Sequence, residues 1–137
     1  MGFENLGTVS FTAEAKVADF MTYLEAGKVM ATRCRECGAS YFPPKADCSR
    51  CLSSEVDWFE VKGKGKLVTY TIVNYGPTGF ENDAPYTLAL GEFDGGIQIL
   101  ARLSRDITEK DIKVGMSLVV SPVKLPGDRI AYEFKKG

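Results

Sequence analysis

The sequence predicts a mainly β protein with an N-terminal helix, a metal-binding ribbon and a small OB-fold barrel. Three observations predict it: helically spaced apolar residues near the N-terminus, four cysteines in two CxxC pairs, and short β-rich runs from Trp58 onward. We therefore predict three units, an N-terminal helical segment at residues 1–27, a zinc ribbon at 28–57 and a barrel at 58–137.

The helix is indicated by apolar residues at positions i, i+3, i+4 and i+7, namely Val17, Phe20, Met21 and Leu24. Thr12 can serve as its N-cap, Glu14 lies where the helix dipole favours a negative charge, and Gly27 is a natural stop. The apolar side must be buried, either on its own domain or on a partner subunit. The sequence leaves both interpretations open.

The four cysteines carry the strongest chemical signal, because Cys34, Cys37, Cys48 and Cys51 can close a tetrahedron of thiolates around one ion. Gly38 permits the backbone turn that directs N–H groups at the sulfurs. Such a site has no open coordination position, so we predict a structural Zn²⁺. The complex would carry surplus negative charge, which the flanking basic residues are expected to offset: Arg33, Arg35, Lys45 and Arg50.

Two other chemistries suit the same cysteines. Four thiolates also hold iron in electron carriers, and a CxxC pair can be a redox dithiol. The colour of the pure protein distinguishes iron from zinc, because an iron site is red and a zinc site is colourless.

The barrel is indicated by runs such as KLVTYTIVNY, YTLALGEF and IQILARL, separated by turns that contain Gly or Pro. The run WFEVK, which begins at Trp58, is assigned to it as the first strand. One helical turn, capped by Thr108 and ended by Gly115, interrupts the later strands. This interruption favours an OB-fold over an immunoglobulin-type sandwich.

Composition excludes several functions. The chain has 137 residues, 45% of them apolar, a net charge of −1 and no histidine. It therefore cannot build a Ser-His-Asp triad, a Cys-His dyad or a histidine-ligated catalytic metal. A near-neutral balance argues against nucleic-acid binding, although single-stranded nucleic acid remains an alternative partner for an OB-fold. We find no signal peptide or membrane-length apolar run, and we expect a cytoplasmic protein.

Two further segments are candidate contact sites. Lys64 is the central lysine of the segment KGKGK, which is either a solvated turn or a place where phosphates bind. The long connection from Gly76 to Pro85 carries Phe80, which is either an exposed anchor for a partner or a side chain that folds back onto the barrel.

The motifs together resemble a family of small proteins that associate with thiolase-like enzymes acting on acyl-CoA. The resemblance covers about residues 15–135 and is carried by CRECG, YFPPK, CSRC, APY and DIKVGM. Members of that family combine N-terminal helices, a rubredoxin-like zinc ribbon and a C-terminal OB-fold. They include the small subunit of benzoylsuccinyl-CoA thiolase, which is the specific member we favour.

The resemblance implies a non-catalytic accessory subunit in a hetero-oligomer with a thiolase-like catalytic subunit. It also implies that this subunit helps to shape the acyl-CoA site. The residues expected to contact the partner or the acyl-CoA are Phe20, Phe42, Lys64, Phe80, Pro85 and Tyr86.

Overall fold

Over the residues that the structure describes, the fold is mainly β, as predicted, with one short helix, a small three-stranded sheet and a closed five-stranded barrel. The computed structural model describes residues 5–8 and 16–137. Among these residues, no helix has the length and apolar character needed to cross a membrane.

Helix α1 spans Asp19–Glu25 and buries Phe20, Met21 and Leu24. The backbone leaves the helix at Gly27, whose φ of +89° is a conformation that glycine adopts without a steric penalty. The N-cap predicted at Thr12 and the helical residue Glu14 lie outside the described residues. The helix packs on its own chain, beside Val29 and Ile130.

The small sheet has the strand order β2-β1-β3, with β1 at Met30–Cys34, β2 at Ser40–Tyr41 and β3 at Val56–Glu60. Both neighbours run antiparallel to β1. Trp58, which the sequence assigns to the barrel, lies in β3 and pairs with Thr32 of β1. A run of β-forming residues predicts a strand but not the strand with which it pairs. Here the chain passes the second cysteine pair and then runs back along β1.

The barrel contains five strands in the order β4-β5-β6-β8-β7, and closure removes most of the exposed sheet edge. The strands span β4 Gly65–Val73, β5 Tyr86–Phe93, β6 Ile97–Leu103, β7 Ser117–Leu125 and β8 Arg129–Lys136. Neighbours are antiparallel except β6 and β8, which are parallel. A 3-10 turn at Glu109–Asp111 follows Thr108 and lies before β7, as the sequence predicts.

Burial alternates most clearly along barrel strand β6. In β6 the buried positions are Ile97, Ile99, Ala101 and Leu103, whereas Gln98 and Leu100 are exposed. Leu67, Leu118 and Phe134 complete the core from β4, β7 and β8. Ala31 of β1 belongs to the same cluster, and Phe59 of β3 packs against it, so the small sheet and the barrel share one core.

Three aromatic rings join the helix, the small sheet and the barrel. Phe42 lies edge-on to Tyr132 of β8 with their ring centroids 5.3 Å apart, and Phe20 of α1 contacts both rings at 6.0 and 6.1 Å. Burial of the Tyr132 side chain raises the pKa of its hydroxyl. The contacts fix the helix to the rest of this chain.

Candidate metal centre and contact surface

The four cysteines converge at the tip of the small sheet. Their Sγ atoms all lie within 4.8 Å of one another, and the Cys34–Cys51 and Cys37–Cys48 pairs are 3.5 Å apart. A tetrahedral metal with bonds of about 2.3 Å to sulfur places its ligands about 3.8 Å from one another. The four side chains therefore fit one tetrahedral ion and leave it no open position.

Two turns of nearly identical geometry carry the cysteines. In the first, the Cys34 N–H donates to Ala39 O at 2.8 Å and the Gly38 N–H to Cys34 O at 3.0 Å. In the second, the Cys48 N–H donates to Ser53 O at 2.8 Å and the Leu52 N–H to Cys48 O at 3.0 Å. Each CxxC turn is thus closed by hydrogen bonds within its own backbone.

Backbone N–H groups and one hydroxyl stabilise negative charge on two of the sulfurs, those of Cys34 and Cys48, whereas the neighbouring thiols raise the pKa of Cys51. The N–H groups of Arg50 and Cys51 both lie 3.4 Å from Cys48 Sγ, and the Tyr41 hydroxyl lies 3.1 Å from the same atom. The Tyr41 hydroxyl and then the Cys51 N–H lower the pKa of the Cys48 thiol to about 6. The Cys37 N–H likewise lowers the pKa of Cys34.

The basic side chains that flank the cysteines contact groups other than the sulfurs. Arg33 lies 4.6 Å from the Phe59 ring centroid, and Arg35 pairs with Asp57 at 2.7 Å and Glu55 at 3.3 Å. Within the described chain, the basic side chains flanking the cysteines form no hydrogen bond to a sulfur. The groups closest to Cys48 Sγ are therefore backbone N–H groups and the Tyr41 hydroxyl. The Arg35 guanidinium pairs with carboxylates instead of with a sulfur.

A second cluster forms where the connection after β4 folds over β6. The Arg102 guanidinium lies 4.2 Å from the Tyr86 ring centroid and 5.3 Å from that of Phe80, and it pairs with Asp83 at 3.1 Å. Arg105 donates to Asp83 O at 2.7 Å. These five residues, the Arg102 cluster, hold the loop of residues 76–85 against the barrel.

The structure brings some of the predicted contact residues together and separates others. Phe80 and Tyr86 belong to the Arg102 cluster, and the exposed Pro85 precedes Tyr86. Lys64 lies apart from them, exposed in the turn between β3 and β4. Phe42 is half-buried in the aromatic joint.

The prediction that Phe20 is a partner contact is wrong for this chain. Its side chain is only 2% exposed, because it fills the space between Phe42 and Tyr132. It is therefore a core residue of the joint.

Comparisons with known proteins agree with this architecture. The family model described as the ChsH2 rubredoxin-like zinc ribbon domain matches residues 22–57, and that of the ChsH2 C-terminal OB-fold domain matches residues 58–121. A DUF35 domain-containing scaffold protein of Methanocaldococcus jannaschii is 34% identical over 112 residues, 78% of this chain and 79% of the relative. One from Pyrococcus furiosus is 38% identical over 96 residues, 70% and 69% of the two chains.

The chain belongs to the DUF35 scaffold-protein family. Solved structures share its fold. The Ltp2-ChsH2(DUF35) aldolase has a TM-score of 0.70 at 24% identity, covering 92% of this chain and 98% of that chain. A DUF35 protein of unknown function from Sulfolobus solfataricus has a TM-score of 0.59 at 20% identity, covering 87% and 83%.

Two important residues of this DUF35 chain escaped the sequence analysis. Tyr41 contacts Sγ of Cys48, one of the four clustered cysteines, and its position between the two CxxC pairs was the signal that could have identified it. Arg102 organises the loop of residues 76–85, but nothing in the strand IQILARL distinguishes it from an ordinary solvated arginine.

Proposed function

We propose that this DUF35 chain is a non-catalytic accessory subunit that scaffolds a thiolase-type enzyme acting on acyl-CoA in the cytoplasm. The observation that carries the proposal is the convergence of all four cysteines on one closed site in a chain without histidine. Thiolase chemistry needs a nucleophilic cysteine assisted by a base such as histidine, and no such pair is left here. A partner must therefore supply the catalytic residues.

The relatives support the scaffolding part of the proposal. The archaeal homologues are named scaffold proteins, and the DUF35 chain of similar fold is described together with an aldolase. By analogy we place this chain in a hetero-oligomer with a thiolase-like subunit. Benzoylsuccinyl-CoA thiolysis is the specific reaction that the sequence motifs favour.

The proposed partner and acyl-CoA surface is the loop of residues 76–85 with Tyr86. Phe80 is partly exposed, Pro85 is exposed, and the Arg102 cluster holds the second half of the loop, at Phe80 and Asp83, on the barrel. A loop that is already ordered loses little conformational entropy when it binds. Aromatic residues in such positions are frequent anchors of protein interfaces.

We propose Zn²⁺ as the metal that Cys34, Cys37, Cys48 and Cys51 hold. The support is the closed tetrahedral set of thiolates and the match to a family model described as a zinc ribbon. When bound, the ion would stabilise the fold of the ribbon and take no part in a reaction. Elemental analysis of protein purified without added metal should find one zinc per chain. A red protein with stoichiometric iron would instead support the electron-carrier alternative.

Assembly with the partner is tested by co-expression with thiolase-like proteins encoded by neighbouring genes, followed by size-exclusion chromatography with light scattering. A stable hetero-oligomer with acyl-CoA-dependent activity is expected. The variant Phe80→Ala should weaken it, whereas Val114→Ala, an exposed residue beyond the opposite end of β4, should not. A chain that stays alone with every candidate, or that binds single-stranded oligonucleotides tightly at physiological salt, would overturn the proposal.

A further inference from the structure

The four cysteines of the candidate metal centre differ in how far solvent reaches them. Cys34 and Cys48 are each 1% exposed, Cys37 is half-buried and Cys51 is exposed. Cys51 lies in the second cysteine turn beside Leu52, which is exposed as well. A small solute therefore reaches Cys51 more readily than it reaches the other three cysteines.

A buried sulfur lies next to the exposed one. Sγ of Cys34 is 3.5 Å from Sγ of Cys51, although 17 positions separate the two residues in the chain. Cys34 is the last residue of β1 and pairs with Val56 of β3, so the small sheet holds it in place. An exposed cysteine with a second cysteine beside it is the usual arrangement of thiols that peroxides oxidise reversibly.

The charge on the sulfurs is the same for all four cysteines once the site is loaded. The thiolate, and not the thiol, is the form of cysteine that reacts with peroxides. A bound zinc ion would hold all four sulfurs as thiolates, because coordination deprotonates a thiol. Ionisation therefore does not distinguish the cysteines in the loaded protein, and exposure decides which of them reacts first.

We propose that Cys51 is a site of oxidation by hydroperoxides and that Cys34 completes the reaction as the resolving thiol. The Cys51 thiolate attacks one oxygen of hydrogen peroxide, so that an S–O bond forms, the O–O bond breaks, and a sulfenic acid and a hydroxide ion result. The Cys34 thiolate then attacks Sγ of Cys51, which forms the S–S bond and expels the sulfenic oxygen as a second hydroxide ion. The two sulfurs together lose two electrons, and the peroxide gains them.

The disulfide would remove two of the four metal ligands and join the two cysteine turns across the site. Cys37 and Cys48 would remain, but two thiolates cannot complete the tetrahedral coordination that a structural zinc site requires. Oxidation is therefore expected to release the metal. This goes beyond the accessory role, because the reaction needs only this chain and a hydroperoxide.

Peptide mapping by mass spectrometry tests the proposal on the full chain, loaded with zinc and treated with less than one equivalent of hydrogen peroxide. Arg35 and Arg50 lie inside the two CxxC pairs, so trypsin places each cysteine in a separate peptide and identifies the disulfide directly. The Cys34–Cys51 disulfide should appear first, with two thiols lost for each peroxide consumed. A chromogenic chelator should detect zinc release in step with the disulfide, and a thiol reductant with added zinc should reverse both changes.

Cys34→Ser and Cys37→Ser are matched variants, because each removes one metal ligand and leaves Cys51 in place. Dimedone, present during the oxidation, traps sulfenic acids. It should label Cys51 several-fold more strongly in Cys34→Ser, which lacks the resolving thiol, than in Cys37→Ser, in which Cys34 still forms the disulfide.

Four results would overturn this inference. They are a first disulfide other than Cys34–Cys51, dimedone labelling of another cysteine before Cys51 in the unmodified chain, equal labelling of Cys51 in the two variants, and retention of zinc after the disulfide has formed. If circular dichroism shows that the variants do not fold, the disulfide map, the labelling and the zinc release of the unmodified chain decide the question.

Discussion

The Tyr41 hydroxyl lies 3.1 Å from Cys48 Sγ and accepts the Ser49 N–H at 3.2 Å. The Ser49 hydroxyl lies 3.2 Å from the same oxygen. A thiolate can only accept hydrogen bonds, so the Tyr41 O–H donates to Cys48 Sγ when that sulfur is ionised. Tyr41 therefore supports a metal ligand without touching the metal. Such outer contacts commonly contribute tenfold or more to metal affinity.

Tyr41→Phe should weaken metal binding about tenfold. Loss of the hydroxyl raises the pKa of the Cys48 thiol, since that hydroxyl is the largest cause of its lowered pKa. Protons then compete with the metal at higher pH, so the pH of half-release should move upward. A chromogenic zinc chelator measures both quantities, with Tyr75→Phe as the control at a tyrosine that is 93% exposed. An unchanged release profile would contradict the role of the hydroxyl.

Metal removal should affect the tip of the small sheet more than its base. Local backbone bonds and the proposed ion hold the cysteine turns, whereas Ala31 and Phe59 are packed into the barrel core. A structural zinc contributes roughly 10–16 kcal/mol of binding free energy, which the tip loses on chelation. Hydrogen exchange after chelation should therefore accelerate at residues 35–55 and change little in β4–β8. Uniform loss of protection across the barrel would show that the two parts unfold as one unit.

The sequence predicted those features that depend on the spacing of residues within a short segment. The two CxxC pairs predicted which four cysteines come together, and alternation in the run IQILARL predicted which side of that strand is buried. It failed where distant segments meet. Trp58 pairs with Thr32 rather than with a barrel strand, Phe20 is covered by Tyr132, and Arg102 lies beneath Phe80. These contacts join residues far apart in the chain, and periodicity carries no information about them.

Phe20→Ala should destabilise the isolated chain by about 3–5 kcal/mol, the usual cost of truncating a core phenylalanine. The side chain is 2% exposed and contacts two rings of the joint, so its loss leaves a cavity. Urea denaturation measures the free energy of unfolding. Phe80→Ala is the comparison, and its half-exposed ring should cost only about 1 kcal/mol. A small cost at Phe20 would restore the interpretation of the helix as a partner contact.

Arg102→Gln should loosen the loop of residues 76–85, because it removes the pair with Asp83 and the stacking on Tyr86. Together these contacts contribute about 1 kcal/mol, equivalent to about fivefold faster local opening. Limited proteolysis with mass spectrometry should detect faster cleavage within the loop. Arg102→Lys keeps the charge but not the planar stacking group, so its cleavage rate should be intermediate. Equal rates in all three proteins would show that the loop is ordered by other contacts.

Leu52→Gly should stabilise the protein slightly. Leu52 has a φ of +65°, at the place in the second cysteine turn that Gly38 occupies in the first with a φ of +76°. In this conformation a residue other than glycine lowers the free energy of unfolding by about 1–2 kcal/mol. Introducing glycine offsets about 0.4–1 kcal/mol of that gain, because glycine raises the conformational entropy of the unfolded chain. The Leu52 side chain is 83% exposed, so little packing is lost and a net gain of about 0.5 kcal/mol is expected.

The reciprocal variant, Gly38→Ala, should destabilise by about 1 kcal/mol for a purely conformational reason, since its added Cβ meets no atom within 4 Å. Thermal unfolding of the metal-loaded proteins measures both changes. A clear loss of stability in Leu52→Gly would show that the leucine side chain makes a stabilising contact despite its exposure.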